Sequence, residues 1–311
     1  MRRACVSVVV VMCACGEVSK SSTPDAASDG VDASTPIDAA IQIDSVSPRC
    51  NANSAFGSPA PISEINTAAS EEFAHLSSDE LTMYFSSTRS GAGGYDIFMA
   101  TRSTRTEAWG DIVAVAGLNT ANSERHPILT RDGLVLYAMI GELPNRDIGV
   151  ATRSTITDAF TALEAATINT DQNDEAGTIL PDHSAIWFSS NRTGNDELYR
   201  APWTGVRFSD PVAISRANDP ASNDADPVVT PDELTLFFAS NRAGADFDVW
   251  TATRTRVENE FGAPVSLQAV NTGNLDVPTW VSADGCVLYT MQGTGSTGAS
   301  PYDLFVSTRG M

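Results

Sequence analysis

Basic residues are scarce in this chain. Its 311 residues carry 19 lysines and arginines against 39 aspartates and glutamates, a formal charge of −20. A surface of that sign repels polyanions, which excludes nucleic-acid binding as a main activity because phosphate contact needs a basic face. Aromatics are few, at 7%, and charged residues reach only 19%, so the bulk is small and polar, as in turn-rich β proteins. Only three histidines occur, His75, His126 and His183, and none stands at metal-ligand spacing from another His or Cys. A nucleophile elbow is missing too, because Gly295-Ser296-Thr297-Gly298 lacks the first glycine of G-x-S-x-G. No segment sustains helical periodicity between good caps, so helix content should be low. The apolar run Val6–Met12 is broken by Ser7 and is too short to cross a bilayer as a helix, which takes about 20 residues. Hydrophobic residues nevertheless make up 42%, enough for a sizeable core.

What is present begins with an address. Arg2 and Arg3 precede the short apolar run, as in a secretory signal peptide. Met12-Cys13-Ala14-Cys15-Gly16 resembles a bacterial lipobox, which implies a signal over residues 1–14 and lipidation at Cys15. Residues 15–49 are rich in Ser, Ala, Asp, Thr and Pro and hold no aromatic, so they cannot bury enough apolar area to order themselves. They are expected to form a disordered tether to the envelope, at the periplasmic or outer-membrane surface, ahead of a body at 50–311. Of the five cysteines, Cys5, Cys13 and Cys15 fall in the leader. Cys50 and Cys286 remain, and in an oxidising compartment that pair points to a disulfide.

A repeat of about fifty residues dominates the body. Turn aspartates recur at Asp79, Asp132, Asp182, Asp232 and Asp284, and each is followed by a β-type run such as LTMYFSS, AIWFSS or LTLFFAS. A second strand carries Asp96, Asp147, Asp196, Asp248 and Asp303. Aromatics (Phe56, Trp109, Phe160, Phe208, Phe261) and asparagines (Asn66, Asn119, Asn169, Asn218, Asn271) complete the unit. Four short antiparallel strands per unit is the pattern of a propeller blade. The first copy of the fourth strand precedes the first full unit, and the last unit lacks one. The sequence therefore predicts an all-β, five-bladed propeller in which an N-terminal strand completes the last blade and closes the ring. That closure would bring Cys50 beside Cys286.

The Asp turn, the Y-F-S-S-T-R type strand (Tyr84–Arg89, Trp187–Arg192, Phe237–Arg242) and the D-I-F-M-A-T-R type strand make residues 56–311 similar to TolB-type, WD40-like propeller repeats. The resemblance implies the fold and says little of function, because members include scaffolds, peptidase domains and lyases. Blades 2 and 5 depart from it, with Ala138–Gly141 and Thr290–Gly293 in place of the S-S-x-R end.

Strand order places the loops before each blade's first strand, and the longer loops between second and third strands, on one face. The former are acidic throughout: Glu71 and Glu72, Glu124, Asp174 and Glu175, Asp224 and Asp226, and Asp276. Around an axis they would ring a channel mouth. Glu72, Glu124, Glu175, Asp226 and Asp276 are thus candidate ligand-binding residues, against the plain reading of solvated loop acids. No resident cofactor is expected, and Ca²⁺ is the ion such a ring would suit. Arg89, Arg192 and Arg242 would grip an anionic group of a ligand or pair within their blades with Asp96, Asp196 and Asp248. The irregular loops around Gly141–Arg146 and Gly293–Pro301 mark a candidate binding face. The expected function is a non-catalytic, monomeric envelope lipoprotein that binds a protein or a glycan. The alternative is a carboxylate- or metal-assisted polysaccharide lyase or hydrolase at the acidic mouth.

Overall fold

The structure is a computed structural model that describes residues 49–89, 94–244, 246–293 and 301–311. The signal segment, Cys15 and nearly all of the tether expected at 15–49 lie outside the described residues. The chain opens with β1 (Ala60–Pro61). Blade 1 follows as β2 (Glu71–Leu76), β3 (Thr82–Ser87), β4 (Asp96–Thr101) and β5 (Gly110–Ala114). Blade 2 is β6 (Glu124–Leu129), β7 (Val135–Ile140), β8 (Asp147–Thr152) and β9 (Glu164–Ala165). Blade 3 is β10 (Asp174–Ile179), β11 (Ala185–Ser190), β12 (Glu197–Pro202) and β13 (Val212–Ala213). Blade 4 is β14 (Asp224–Val229), β15 (Thr235–Ser240), β16 (Asp248–Thr253) and β17 (Val265–Ser266). Blade 5 has β18 (Asp276–Val281), β19 (Val287–Gly293) and β20 (Tyr302–Thr308), and β1 adds to its outer edge. All five sheets are four-stranded and antiparallel, as the repeat predicts, and no helix occurs among the described residues. The outer strands are shorter than expected, only two residues in four of the five blades.

Each recurrent residue solves a backbone problem. The turn aspartates accept the N–H two residues on, from Leu81, Leu134, Ser184, Leu234 and Cys286, at 2.9–3.1 Å. This is the Asx geometry that makes Asp a turn residue. The next residue is left-handed in all five turns, at Glu80, Gly133, His183, Glu233 and Gly285. Blades 2 and 5 use glycine, which takes that conformation freely. The other three tie their side chains down: Glu80 to Arg49, Glu233 to Arg200 and Trp187, and His183 to the Tyr137 hydroxyl. The asparagines act as a surrogate peptide. Asn119 accepts from Ile97 N–H and donates to Ile97 C=O, and Asn66, Asn169, Asn218 and Asn271 do the same to Leu304, Ile148, Leu198 and Val249. Arg102, Arg153, Arg254 and Arg309 donate to a turn carbonyl and lie over the aromatic of their own unit, 4.1–4.5 Å from Trp109, Phe160, Phe261 and Phe56. In blade 3 no arginine stands there, and Trp203 packs on Phe208 instead.

The core is divided among the seams between blades, one buried apolar cluster to each. Phe85, Met83, Tyr289 and Leu304 fill the seam of blades 5 and 1, Tyr84, Ile97 and Leu136 the next, then Ile128, Ile186 and Phe188, Trp187, Leu236 and Phe238, and Phe237, Val249 and Leu288. Closure is as expected. Ala60 and Pro61 pair with Val306 and Phe305, and Phe56 bridges to Arg309. The disulfide joins Cys50 to Cys286, 236 residues apart. Beside it, Arg49 pairs with Glu80 of blade 1 at 2.6 Å and Asp284 of blade 5 at 2.9 Å. A cross-link over so long a loop should contribute about 4–5 kcal/mol through loss of unfolded-state entropy. Reduction, or Cys286→Ala, should lower the denaturation midpoint by a corresponding amount without changing the β circular-dichroism spectrum of the native protein.

Candidate functional site

The acids expected in loops are not in loops. Glu71, Glu124, Asp174, Asp224 and Asp276 are the first residues of the five inner strands, and all are buried. They face back onto the connection that delivers the strand. The backbone N–H groups of Thr67, Thr120, Thr170, Asp219 and Thr272 donate to them, and all four threonines add their hydroxyls. A buried carboxylate is tolerable when it collects such donors.

Three of the five also receive an arginine. Arg89 reaches Glu71 at 3.2 Å, and Arg192 and Arg242 reach Asp174 and Asp224 at 2.5 Å. Each guanidinium also donates to a serine hydroxyl of its strand and to the carbonyl of Ile65, Ile168 or Ala217. The in-blade pairing that the sequence offered is therefore present, but the partners are these inner-strand acids and not Asp96, Asp196 or Asp248. The reason is register: each arginine follows the strand-end serine that lies opposite the acid, as in Ser87↔Glu71, Ser190↔Asp174 and Ser240↔Asp224. Blades 2 and 5 have no such arginine. Burial raises the Glu124 carboxyl there and raises Asp276 to about 6, where Gln292 stands opposite.

The mouth of the channel is built from the next two residues of the inner strands. Glu72, Arg125 and Glu175 occupy the second position in blades 1 to 3, and His126 and Asp226 occupy the third in blades 2 and 4. Every inner strand breaks register just beyond, with one or two residues bulged. Phe73, His126 and Asp226 are left-handed at this bulge, with φ of 50–51°. Held strain of this kind is often found at ligand sites. The loops between second and third strands add Tyr95, Glu142, Arg146 and Asp196, and blade 5 adds Tyr302.

These groups form one electrostatic unit. Arg125 lies 3.8 Å from Glu72 and 3.7 Å from Glu142, and its guanidinium covers the Tyr95 ring at 3.8 Å. Arg146 donates to Glu175 at 3.0 Å. Asp226 is 7% exposed and lies 3.6 Å from His126 Nδ1. Burial, and then the negative charge of Glu175, holds the Asp226 carboxyl well above the ordinary aspartate range. The same two causes raise Asp196 to about 6, and burial raises Glu72. Burial also keeps His126 and His75 neutral, at about 3 and about 4, and His126 stacks on Phe73 at 4.1 Å. Five buried polar atoms here have no hydrogen-bond partner among the described residues: Arg125 Nε, Arg146 Nε, His126 Nδ1 and Nε2, and Asp226 Oδ1. No three His, Cys, Asp or Glu side chains among the described residues converge closely enough to hold a metal ion.

The candidates thus separate. Glu72, Glu175 and Asp226 meet at the mouth. Glu124, Asp276, Arg89, Arg192 and Arg242 are engaged inside their own blades. Sequence reasoning missed Arg125 and Tyr95 as site residues. The available signal was that Arg125 interrupts an acidic column at the position of Glu72 and Glu175. Arg146 lies in the irregular loop already marked, and the counterpart in blade 5 falls largely outside the described residues. On the opposite face, a concavity of about 540 Å³ lies between blades 5 and 1, beside the disulfide. Its guanidiniums, among them Arg49, Arg102 and Arg309, are already bonded to protein acceptors.

No profile of a known protein family matches the chain, and no curated protein does. Solved structures do. TolB from Acinetobacter baumannii superposes with a TM-score of 0.50 at 16% identity, over 79% of this chain and 57% of that one. This chain therefore spans little more than half of that protein. The catalytic domain of the GH62 α-L-arabinofuranosidase of Coprinopsis cinerea gives 0.53 at 14% identity, over 83% and 98% of the two chains. A thermostable family-43 glycoside hydrolase gives 0.51 at 15%, over 79% and 90%. At these identities the likeness is one of fold: a five-bladed, TolB-like β-propeller, a scaffold shared by TolB and by glycoside hydrolases.

Two outcomes follow for the engaged acids. Arg192→Met should destabilise the protein by roughly 3–5 kcal/mol, because it strands the buried Asp174 carboxylate. Adding Asp174→Asn should recover part of the loss in a double-mutant cycle. Asp276 binds its proton more tightly folded than unfolded, so its contribution is greatest below pH 4 and is lost as pH rises through about 6. Asp276→Asn should therefore flatten the dependence of melting temperature on pH between 4 and 6, and a slope equal to that of the wild type would contradict this.

Proposed function

We propose that this protein is a non-catalytic binding module that seats its ligand in the charged mouth of the propeller. The observation that carries the reading is the convergence of Glu72, Arg125, Glu175 and Asp226 from four blades, the first and last buried and the other two partly so, with hydrogen-bonding atoms still unmatched. The repeat columns elsewhere satisfy one another. The second position of the inner strand does not repeat as those columns do: it is Glu72, Arg125, Glu175, Ala225 and Val277 in blades 1 to 5, so no need shared by every blade sets it. The disulfide is consistent with export. In this reading residues 1–14 direct the chain out of the cytoplasm, Cys15 carries a lipid, and residues 15–49 hold a monomeric propeller away from the membrane to meet an envelope protein or glycan.

A second reading, hydrolysis of a glycan, is favoured by one specific observation. Asp226 and Asp196 retain their protons toward neutral pH and lie within electrostatic reach of Glu175, an arrangement that supplies an acid beside a base.

The test is binding of the full chain to immobilised envelope extract by surface plasmon resonance, with a parallel assay for release of reducing ends from polysaccharide. Arg125→Ala and Asp226→Asn should each abolish binding. Asp226→Asn should also raise the melting temperature at pH 8, because it fixes the neutral form that the fold prefers. Binding that survives both changes would move the site off the mouth. Turnover that is lost in Asp226→Asn would establish the hydrolase reading.

A further inference from the structure

We infer that the ligand of the channel mouth is a neutral polyhydroxylated one, a saccharide unit presented by its ring hydroxyls, and neither a cation nor an anion. This rests on the mouth being the binding site, and it follows from which atoms there are already matched. Five are not: Arg125 Nε and Arg146 Nε, which donate, the two ring nitrogens of the neutral His126, one a donor and one an acceptor, and Asp226 Oδ1. A buried polar atom left without a partner costs free energy, so an occupant that supplies both donors and acceptors is preferred.

A carboxylate or phosphate would have to compete for the two guanidiniums with Glu72, Glu142 and Glu175, which already face them, and would leave Asp226 beside a second acid group. An ammonium or a metal ion would satisfy Asp226 and leave both Nε–H groups facing a cation. The remaining acids are also partly occupied: Glu72 and Glu142 face Arg125, and Glu175 accepts from Arg146. A hydroxyl both donates and accepts. Hydroxyls on neighbouring carbons can give a hydrogen to Asp226 or His126 and offer lone pairs to the guanidiniums without adding charge to the site. Tyr302 is half-buried within reach of Glu72, Arg125 and Arg146, and Tyr95 lies under Arg125. Such rings offer an apolar surface for the C–H face of a sugar beside polar groups for its rim.

The test uses the full chain and isothermal titration with trisaccharides of matched size. The neutral probes are xylotriose, cellotriose, maltotriose and mannotriose, the anionic probe is trigalacturonate, and the cationic probe is a glucosamine trimer. At least one neutral trisaccharide should bind with a Kd of roughly 10 µM to 1 mM, the range in which a few hydrogen bonds and one stacked ring operate. That Kd should change less than about two-fold between 50 and 500 mM NaCl, because no net charge is paired. Arg125→Met and Asp226→Ala should each weaken it by about ten-fold or more while thermal melts show a folded protein. Binding confined to the charged trimers, with affinity falling steeply in salt, would overturn the inference and leave the mouth as the site. Absence of all saccharide binding at 10 mM, with envelope binding still lost in the two variants, would overturn it likewise. Saccharide binding that survives both variants would overturn the inference and the choice of site together.

Discussion

A blade of this propeller has no core of its own. Its apolar side chains are buried in the seams it shares with its neighbours, so each sheet is stable only as a member of a closed ring. The pairing of Ala60 and Pro61 with Val306 and Phe305 supplies that closure, reinforced by Cys50–Cys286 and by Arg49 between Glu80 and Asp284. Without it, blades 5 and 1 would each expose half a seam, including Tyr289, Met291, Phe85 and Met83. The inner strands, which carry the candidate site, would lose the lateral support that fixes their spacing. The channel mouth depends on a contact made at the outer edge of blade 5, in a segment some 240 residues away in sequence from its partner strand.

The repeat columns divide cleanly by task. Turn aspartates set the connections between first and second strands, asparagines tie the last connection back to the third strand, and serine–arginine–acid sets lock three of the inner strands in place. Each arrangement satisfies backbone or buried polar groups that would otherwise be costly. What remains is a small set of side chains that do none of this. Glu72, Arg125, Glu175 and Asp226 occupy equivalent or adjacent positions, yet no two neighbouring blades agree on the residue type. A structural column repeats because every blade has the same need. The proposed ligand would meet each blade from a different direction and need not find the same group on all of them.

Much of this was legible before any fold was available. The five turn aspartates give the blade number, the surplus fourth strand at the start gives the closure, and the closure makes a disulfide across 236 residues reasonable. The reading failed at a finer scale. Strand order places the acids in the loops ahead of each first strand, whereas they open the buried inner strands themselves. The arginines were assigned to Asp96, Asp196 and Asp248 on spacing along the chain. In fact the strand-end serines sit opposite Glu71, Asp174 and Asp224, which fixes a different partner.

The amino-acid sequence alone therefore determined the architecture, because strand period, turn residues and repeat length are local signals that the chain states five times. The tertiary structure decided which of the acids are internal fasteners and which face the channel. That distinction rests on one bulge in each inner strand, which turns Asp226 and His126 out of alternation, and on the angular placement of blades that brings Arg146 of one to Glu175 of the next. Neither is a property of any single segment, since a side chain's role here is set by what stands across the axis from it.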